Sequence, residues 1–249
     1  CIRDRGILLF AHWRAIFVLL LVQGLIALVW FAWRQPETLA VEDRMPLSAG
    51  RIGRAIVETC RNRTAIGYTL AAGFVFGAFL GYLNSAQQIF QVQYGVGPWF
   101  PAYFGALALT LGLASVINAR MVGKYGMFGI SIRALWSLSV LSLLFIGPAF
   151  YLEGNPPLWA LMSFLVPAFF CVGILFGNFN ALAMEPMGHI AGTAAAVIAS
   201  LSTGISLAFG VAIGQSFNGT IMPLIIGMAG LSTITLPILY WVPRREKLV

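Results

Sequence analysis

The chain has 249 residues, of which 59% are hydrophobic and 9% charged, with a formal net charge of +7 and a mean hydropathy of +0.88. Soluble globular domains are usually about a quarter charged, so this composition excludes one. It also argues against nucleic-acid binding, because the basic residues are confined to a few loops, as in proteins that fix their orientation in a membrane.

Between Arg63 and Arg120 there is no Asp, Glu, Lys or Arg, and from Ala134 to Val242 only Glu153 and Glu185 interrupt the apolar text. An uncharged stretch of about 18 or more residues can cross a ~30 Å hydrocarbon core as a helix. Gly and Pro divide this text into seven candidate spans: Ala15–Trp33, Ala65–Val92, Trp99–Ala119, Ser131–Leu152, Leu158–Leu182, Ala191–Gln215 and Thr220–Val242. The period-2 alternation of membrane β-strands is missing, so the expected class is an all-α membrane protein with seven transmembrane helices.

Residues 1–33 hold the leading span, residues 34–63 a polar linker and residues 64–249 the remaining six spans. In the linker, Ser48 can cap a short helix with Ile52, Ala55, Ile56, Thr59 and Cys60 on one face and Arg51, Arg54, Glu58, Arg61 and Arg63 on the remainder. That pattern suits a basic amphipathic helix lying in the cytoplasmic headgroup region. The six later spans fall into two trios that start on opposite sides of the membrane, as inverted transporter repeats do.

Loop charge predicts the orientation. Arg34, Arg44, Arg51, Arg54, Arg61 and Arg63 lie between the first two spans. Arg120, Lys124 and Arg133 surround the third-to-fourth connection, and Arg244, Arg245 and Lys247 close the chain. The alternate connections carry no Lys or Arg, so the basic set, including the C-terminus, is expected in the cytoplasm. Arg3, Arg5 and Arg14 precede the first span on the other side. With an odd span count and a first residue that is Cys, they point to a chain that begins mid-protein. Cys1, Cys60 and Cys171 are scattered and lack partners for a metal site or disulfide framework.

Within the spans the polar residues are sparse. Asn84, Gln87, Gln88 and Gln91 stand at i, i+3, i+4 and i+7, on one helical face, with Tyr82 and Phe90 nearby and Phe76 and Phe79 deeper. Amides in hydrocarbon cost several kcal/mol each if unpaired, so this face must meet water, a ligand or another helix. Asn178 and Asn180 repeat the theme in the fifth span, and all six amides are expected to point into one gap. Small residues recur every fourth position, at Gly73, Gly77, Gly81 and Ser85, and again at Gly192, Ala196, Ser200, Gly204, Ala208 and Ala212. Such stripes let helices pack closely or slide. No carboxylate, Lys or Arg lies mid-span, and neither a nucleophile–base pair nor a metal-ligand cluster is evident, so no enzyme activity, cofactor or metal is expected.

Three motifs in order add a family resemblance. Trp13-Arg14-Ala15-Ile16-Phe17 with Pro36-Glu37-Thr38-Leu39, then Asn118-Ala119-Arg120-Met121-Val122-Gly123-Lys124-Tyr125-Gly126, then Asn180 through Met187 followed by Ala191-Gly192-Thr193-Ala194, resemble the major facilitator superfamily. Within that superfamily they resemble the bicyclomycin/chloramphenicol-resistance (Bcr/CflA) type of drug:proton antiporter. The resemblance implies that the seven spans are the sixth to twelfth helices of a twelve-helix carrier in a bacterial inner membrane. The carrier would export small hydrophobic compounds in exchange for protons, its proton-carrying residue lying in the N-terminal half. It also implies a conformational lock, with Glu185 engaging Arg120, Lys124 or Arg133. A metabolite or sugar importer of the same fold is the alternative, and a seven-helix receptor a more distant one.

Overall fold

The computed structural model describes residues 14–35 and 48–243. Trp13, the Pro36–Leu39 stretch, Arg3, Arg5, Arg44 and the C-terminal basic residues lie outside the described residues. All regular structure among the described residues is helical.

The chain divides into two units, Cys1–Ala49 and Gly50–Val249. The first contains α1 (Arg14–Arg34), whose apolar side chains are exposed along its length. A helix that is apolar all round belongs in lipid or against other spans rather than in water.

The second unit contains α2 (Ala49–Arg61), α3 (Arg63–Gln87), α4 (Phe100–Tyr125), α5 (Met127–Tyr151), α6 (Leu158–Met184), α7 (Ala191–Gln215) and α8 (Met222–Trp241). Among the described residues of both units, six stretches are long and apolar enough to cross a membrane, and one of them, Leu158–Gln215, is 58 residues long. At 1.5 Å per residue that is about 87 Å, nearly three times a ~30 Å hydrocarbon core. The 3₁₀ turn Glu185–Ile190 divides it into α6 and α7, giving seven spanning helices among the described residues.

Local chemistry accounts for the breaks. Asn62 is extended (φ −74°, ψ 114°), and its side-chain oxygen accepts from the Thr64 and Ala65 amides at 3.0 Å each, ending α2 and starting α3. Between α4 and α5 the sequence predicts a loop from residue 120 to 130. The two helices instead run past the membrane-length text and are separated only at Gly126, whose φ of +71° favours a residue without Cβ. Arg120, Lys124 and Arg133 therefore sit on helical turns.

Packing follows two layers. One is the row α4–α6–α3–α7, and behind it lie α5 and α8, α5 against α6 and α8 against α3. Exchanging the first trio (α3, α4, α5) for the second (α6, α7, α8) leaves this pairing scheme unchanged. Each trio has an odd number of antiparallel helices, so the second runs inverted relative to the first.

The α3–α7 contact is made by small residues. A Cβ on Gly73 would stand 2.9 Å from Ile205, one on Gly81 2.7 Å from Ile213, and one on Gly210 2.5 Å from Leu80 Cβ. Gly173 plays the same part between α6 and α4, where a Cβ would lie 2.8 Å from that of Ala114. The glycines of α3 thus pack as expected. The α7 stripe does not: Gly192, Ala196, Ser200, Gly204, Ala208 and Ala212 are exposed, and a Cβ on Gly192 or Gly204 would meet nothing within 4 Å. A four-residue spacing drifts around a 3.6-residue helix, and the arc that meets α3 carries Ser206, Gly210 and Gly214 instead.

Candidate functional site

The two faces of the six-helix bundle differ in chemistry. On α5 and α8 the exposed side chains include Trp136, Val140, Leu144 and Phe150, and Ile226, Ile234, Tyr240 and Trp241. Neither helix contains an Asn or Gln. Trp136, Tyr240 and Trp241 lie at one end and Phe150 and Tyr151 at the other, the separation along α5 being roughly 22 Å at 1.5 Å per residue. Aromatic belts at both ends of an apolar band mark a lipid-facing surface.

All the Asn and Gln residues of the bundle's long helices lie in the other layer. Asn84, Gln87 and Gln88 are exposed on α3. Asn84 also donates through Nδ2 to the Gly210 carbonyl of α7 at 3.1 Å. From Gln88 to Gln93 the helix widens into a π segment, which turns the expected fourth member away: Gln91 is half-buried and its Nε2 donates to the Gly97 carbonyl at 3.1 Å. Insertions of this kind recur at functional sites, and no local sequence pattern announces this one.

Tyr82 points the other way. It is 1% exposed, boxed by Phe169 (4.7 Å between centroids), Phe104 (6.1 Å) and Phe90 (6.5 Å), and its hydroxyl has no hydrogen-bond partner. Behind the amides lies an aromatic layer rather than a single ring.

The expectation that Asn178 and Asn180 join this group is not met. Contacts Tyr68–Phe179, Phe76–Phe176 and Phe79–Phe169 set α3 and α6 antiparallel. Their C-terminal ends therefore point to opposite surfaces, and the two amide groups lie roughly 20 Å apart along the axis. Asn178 is 3% exposed and locked in a reciprocal pair with Asn118 of α4, at 2.8 and 3.1 Å. Asn180 is half-buried and donates to the Phe176 carbonyl in its own helix. Between the groups, Phe76 and Phe176 stack at 4.6 Å, with Phe176 exposed. The arrangement is an aromatic middle with an amide group toward each surface, related by the exchange of the trios. Phe176 and Asn118 went unrecognised as contacts, since their partners lie on other helices far along the chain.

The loops gather at two ends. At one, Gln93 Nε2 donates to the Gly154 carbonyl (3.0 Å) and Asn155 Oδ1 (2.9 Å), the Tyr94 hydroxyl donates to the Pro156 carbonyl (2.6 Å), and the Ile221 amide donates to the Gly154 carbonyl (3.1 Å). Burial pushes the Tyr94 hydroxyl up to about 12, so it remains a donor throughout the physiological range. At the other end, His189 Nε2 meets Glu58 Oε1 at 2.6 Å, and Arg63 lies over Trp241 at 4.6 Å.

The four residues expected to form a lock do not meet as ion pairs. Lys124 and Arg133 both lie over the Tyr125 ring, at 5.2 and 5.4 Å. Among the described residues the close ionic contact is Glu58–His189, and none involves Glu185 or Arg120. Nor do the described residues contain a cluster of three or more metal-ligating side chains.

A two-layer bundle of long apolar helices with inverted trios, one lipid-facing side and one amide-bearing side, is the architecture of a membrane transporter. Sequence comparison agrees: the Major Facilitator Superfamily profile matches residues 6–211, and the chain belongs to that family of transmembrane transporters, not to an enzyme family. It is 30% identical over 195 residues to an uncharacterized MFS-type transporter, YdgK, of Bacillus subtilis, covering 77% of this chain and 47% of that protein. It is 27% identical over 252 residues to a bicyclomycin resistance protein homolog of Haemophilus influenzae, covering 95% of this chain and 59% of that protein. The chain thus spans about half the length of the curated relatives it matches. No solved structure matches it.

Proposed function

We propose that this chain supplies the C-terminal portion of a proton-coupled multidrug efflux carrier of a bacterial inner membrane, exporting small hydrophobic compounds. The observation that carries the reading is the confinement of the bundle's amides to the layer away from the lipid face, with the Phe76–Phe176 stack between them. An aromatic surface with a few hydrogen-bonding groups and no charge suits neutral or weakly charged amphiphiles. The likeness to a bicyclomycin resistance protein homolog supports the same class. No Asp, Glu, Lys, Arg or His stands mid-span among the described residues, so the proton-carrying group is assigned to the rest of the carrier, as are partners for Glu185 and Arg120 in a cytoplasmic lock.

Gln87 and Gln88 have no hydrogen-bond partner among the described residues, so truncating them leaves the fold intact. Loss of one ligand hydrogen bond worth about 1 kcal/mol weakens binding roughly five-fold. An amphiphilic dye titrated onto the chain in nanodiscs should therefore bind about five-fold more weakly to Gln88→Ala, with an unchanged unfolding transition. Unaltered affinity in the Gln87→Ala/Gln88→Ala double variant would remove this face from the site.

The proposed orientation has its own check. Single cysteines near Gly95, Asn155 and Asn218 should react with an impermeant reagent from the cell exterior, and those near Arg120 and His189 only after permeabilisation. Labelling of positions 95 and 120 from the same side would refute it.

A further inference from the structure

We infer that α2 docks on an anionic phospholipid surface at the end of the bundle where the basic loops gather. The helix has three arcs. Ala55 and Thr59 are buried against the bundle, with the Thr59 hydroxyl 3.8 Å from the Met187 sulfur. Ile52, Ile56 and Val57 form an exposed apolar arc that also includes Cys60. Arg54 and Arg61 are exposed on a third.

Charge complementarity names the occupant. From Gly50 to Arg63 the chain holds four arginines and one acid, Glu58. That acid's carboxylate meets His189 at 2.6 Å, and four arginines against one acid leave the segment net basic. A protein partner could cover the apolar arc, but it would leave the adjoining arginines unused. A lipid interface satisfies both at once: acyl-chain boundary for the apolar arc, phosphates for the basic one.

The level of the helix agrees. One residue, Asn62, separates α2 from α3, and the first residue of α3, Arg63, lies over Trp241. Tyr240 beside it accepts a hydrogen bond from Trp136 Nε1 at 3.3 Å. These rings form the aromatic belt, so α2 starts from the headgroup level. Its contact with Met187 holds it there.

Cys60 reports on the apolar arc directly. In a Cys1→Ser background it is the accessible thiol, since Cys171 is buried, and a nitroxide attached to it is read in nanodiscs by collision with oxygen and with a soluble nickel complex. Nanodiscs of phosphatidylcholine containing phosphatidylglycerol should raise oxygen access and lower nickel access relative to phosphatidylcholine alone, and high salt should reverse the change. At about five-fold per arginine, Arg54→Gln/Arg61→Gln should weaken docking roughly twenty-five-fold, whereas Arg54→Lys/Arg61→Lys should retain it. Equal accessibility in the two lipid compositions would overturn the proposal. So would protection that persists in Arg54→Gln/Arg61→Gln, which would assign the arc to a protein surface.

Discussion

Gly210→Val should destabilise the bundle by about 3 kcal/mol, the upper end of overpacking costs, read as a shift in a denaturation midpoint of the chain in mixed micelles. A Cβ at this position would stand 2.5 Å from Leu80 Cβ, 3.2 Å from the Leu80 carbonyl carbon and 3.3 Å from the Gly77 carbonyl oxygen. Those are largely backbone atoms of α3, so no rotamer change relieves the clash and the helices must separate. Separation also strains the Ser206 hydroxyl's bond to the Gly73 carbonyl (2.9 Å) and the Asn84 bond to Gly210. Gly204→Ala is the control. It lies on the same helix with nothing within 4 Å, so it should be neutral or mildly stabilising through helix propensity. Equal effects of the two substitutions would contradict the packing described.

Asn178→Ala comes second, at about 1–2 kcal/mol. The substitution strands the Asn118 amide, whose carbonyl and NH₂ are both engaged by Asn178. Interhelical hydrogen bonds in membranes average only about 0.6 kcal/mol and reach about 1.7. A reciprocal pair with one member buried belongs at the high end. Because the cost comes from the unpaired partner, Asn118→Ala/Asn178→Ala should be less destabilised than the sum of the single variants. Additive behaviour in that cycle would mean that the pair does not couple α4 to α6.

These two sites show what was and was not legible in the text. The glycine spacing at 73, 77 and 81 marks a smooth face on α3, but it does not name the α7 arc that packs against it. Of the 25 residues of α7, 16 are Gly, Ala, Ser or Thr, so spacing alone does not choose among arcs. Asn178 was visible as an intramembrane amide needing a partner. Its pairing with Asn118, 60 residues away, was not, because hydrogen bonds between helices leave no local periodicity. The amides of α3 were grouped by a regular 3.6-residue turn that the π segment at Gln88–Gln93 breaks.

The sequence by itself determined the class of solvent, the number of spans and the pairing of loops by charge. Each of these follows from hydrophobic length and charge placement, which are additive along a chain and require no knowledge of neighbours. Only the tertiary structure decided that the two amide groups lie at opposite ends rather than together, that Tyr82 is enclosed by rings, that Glu58 rather than Glu185 meets a basic side chain among the described residues, and which layer of the bundle carries the amides. Those outcomes depend on the antiparallel register of α3 against α6 and on which arcs of each helix its neighbours cover. Register is set by side-chain contacts between residues distant in the chain.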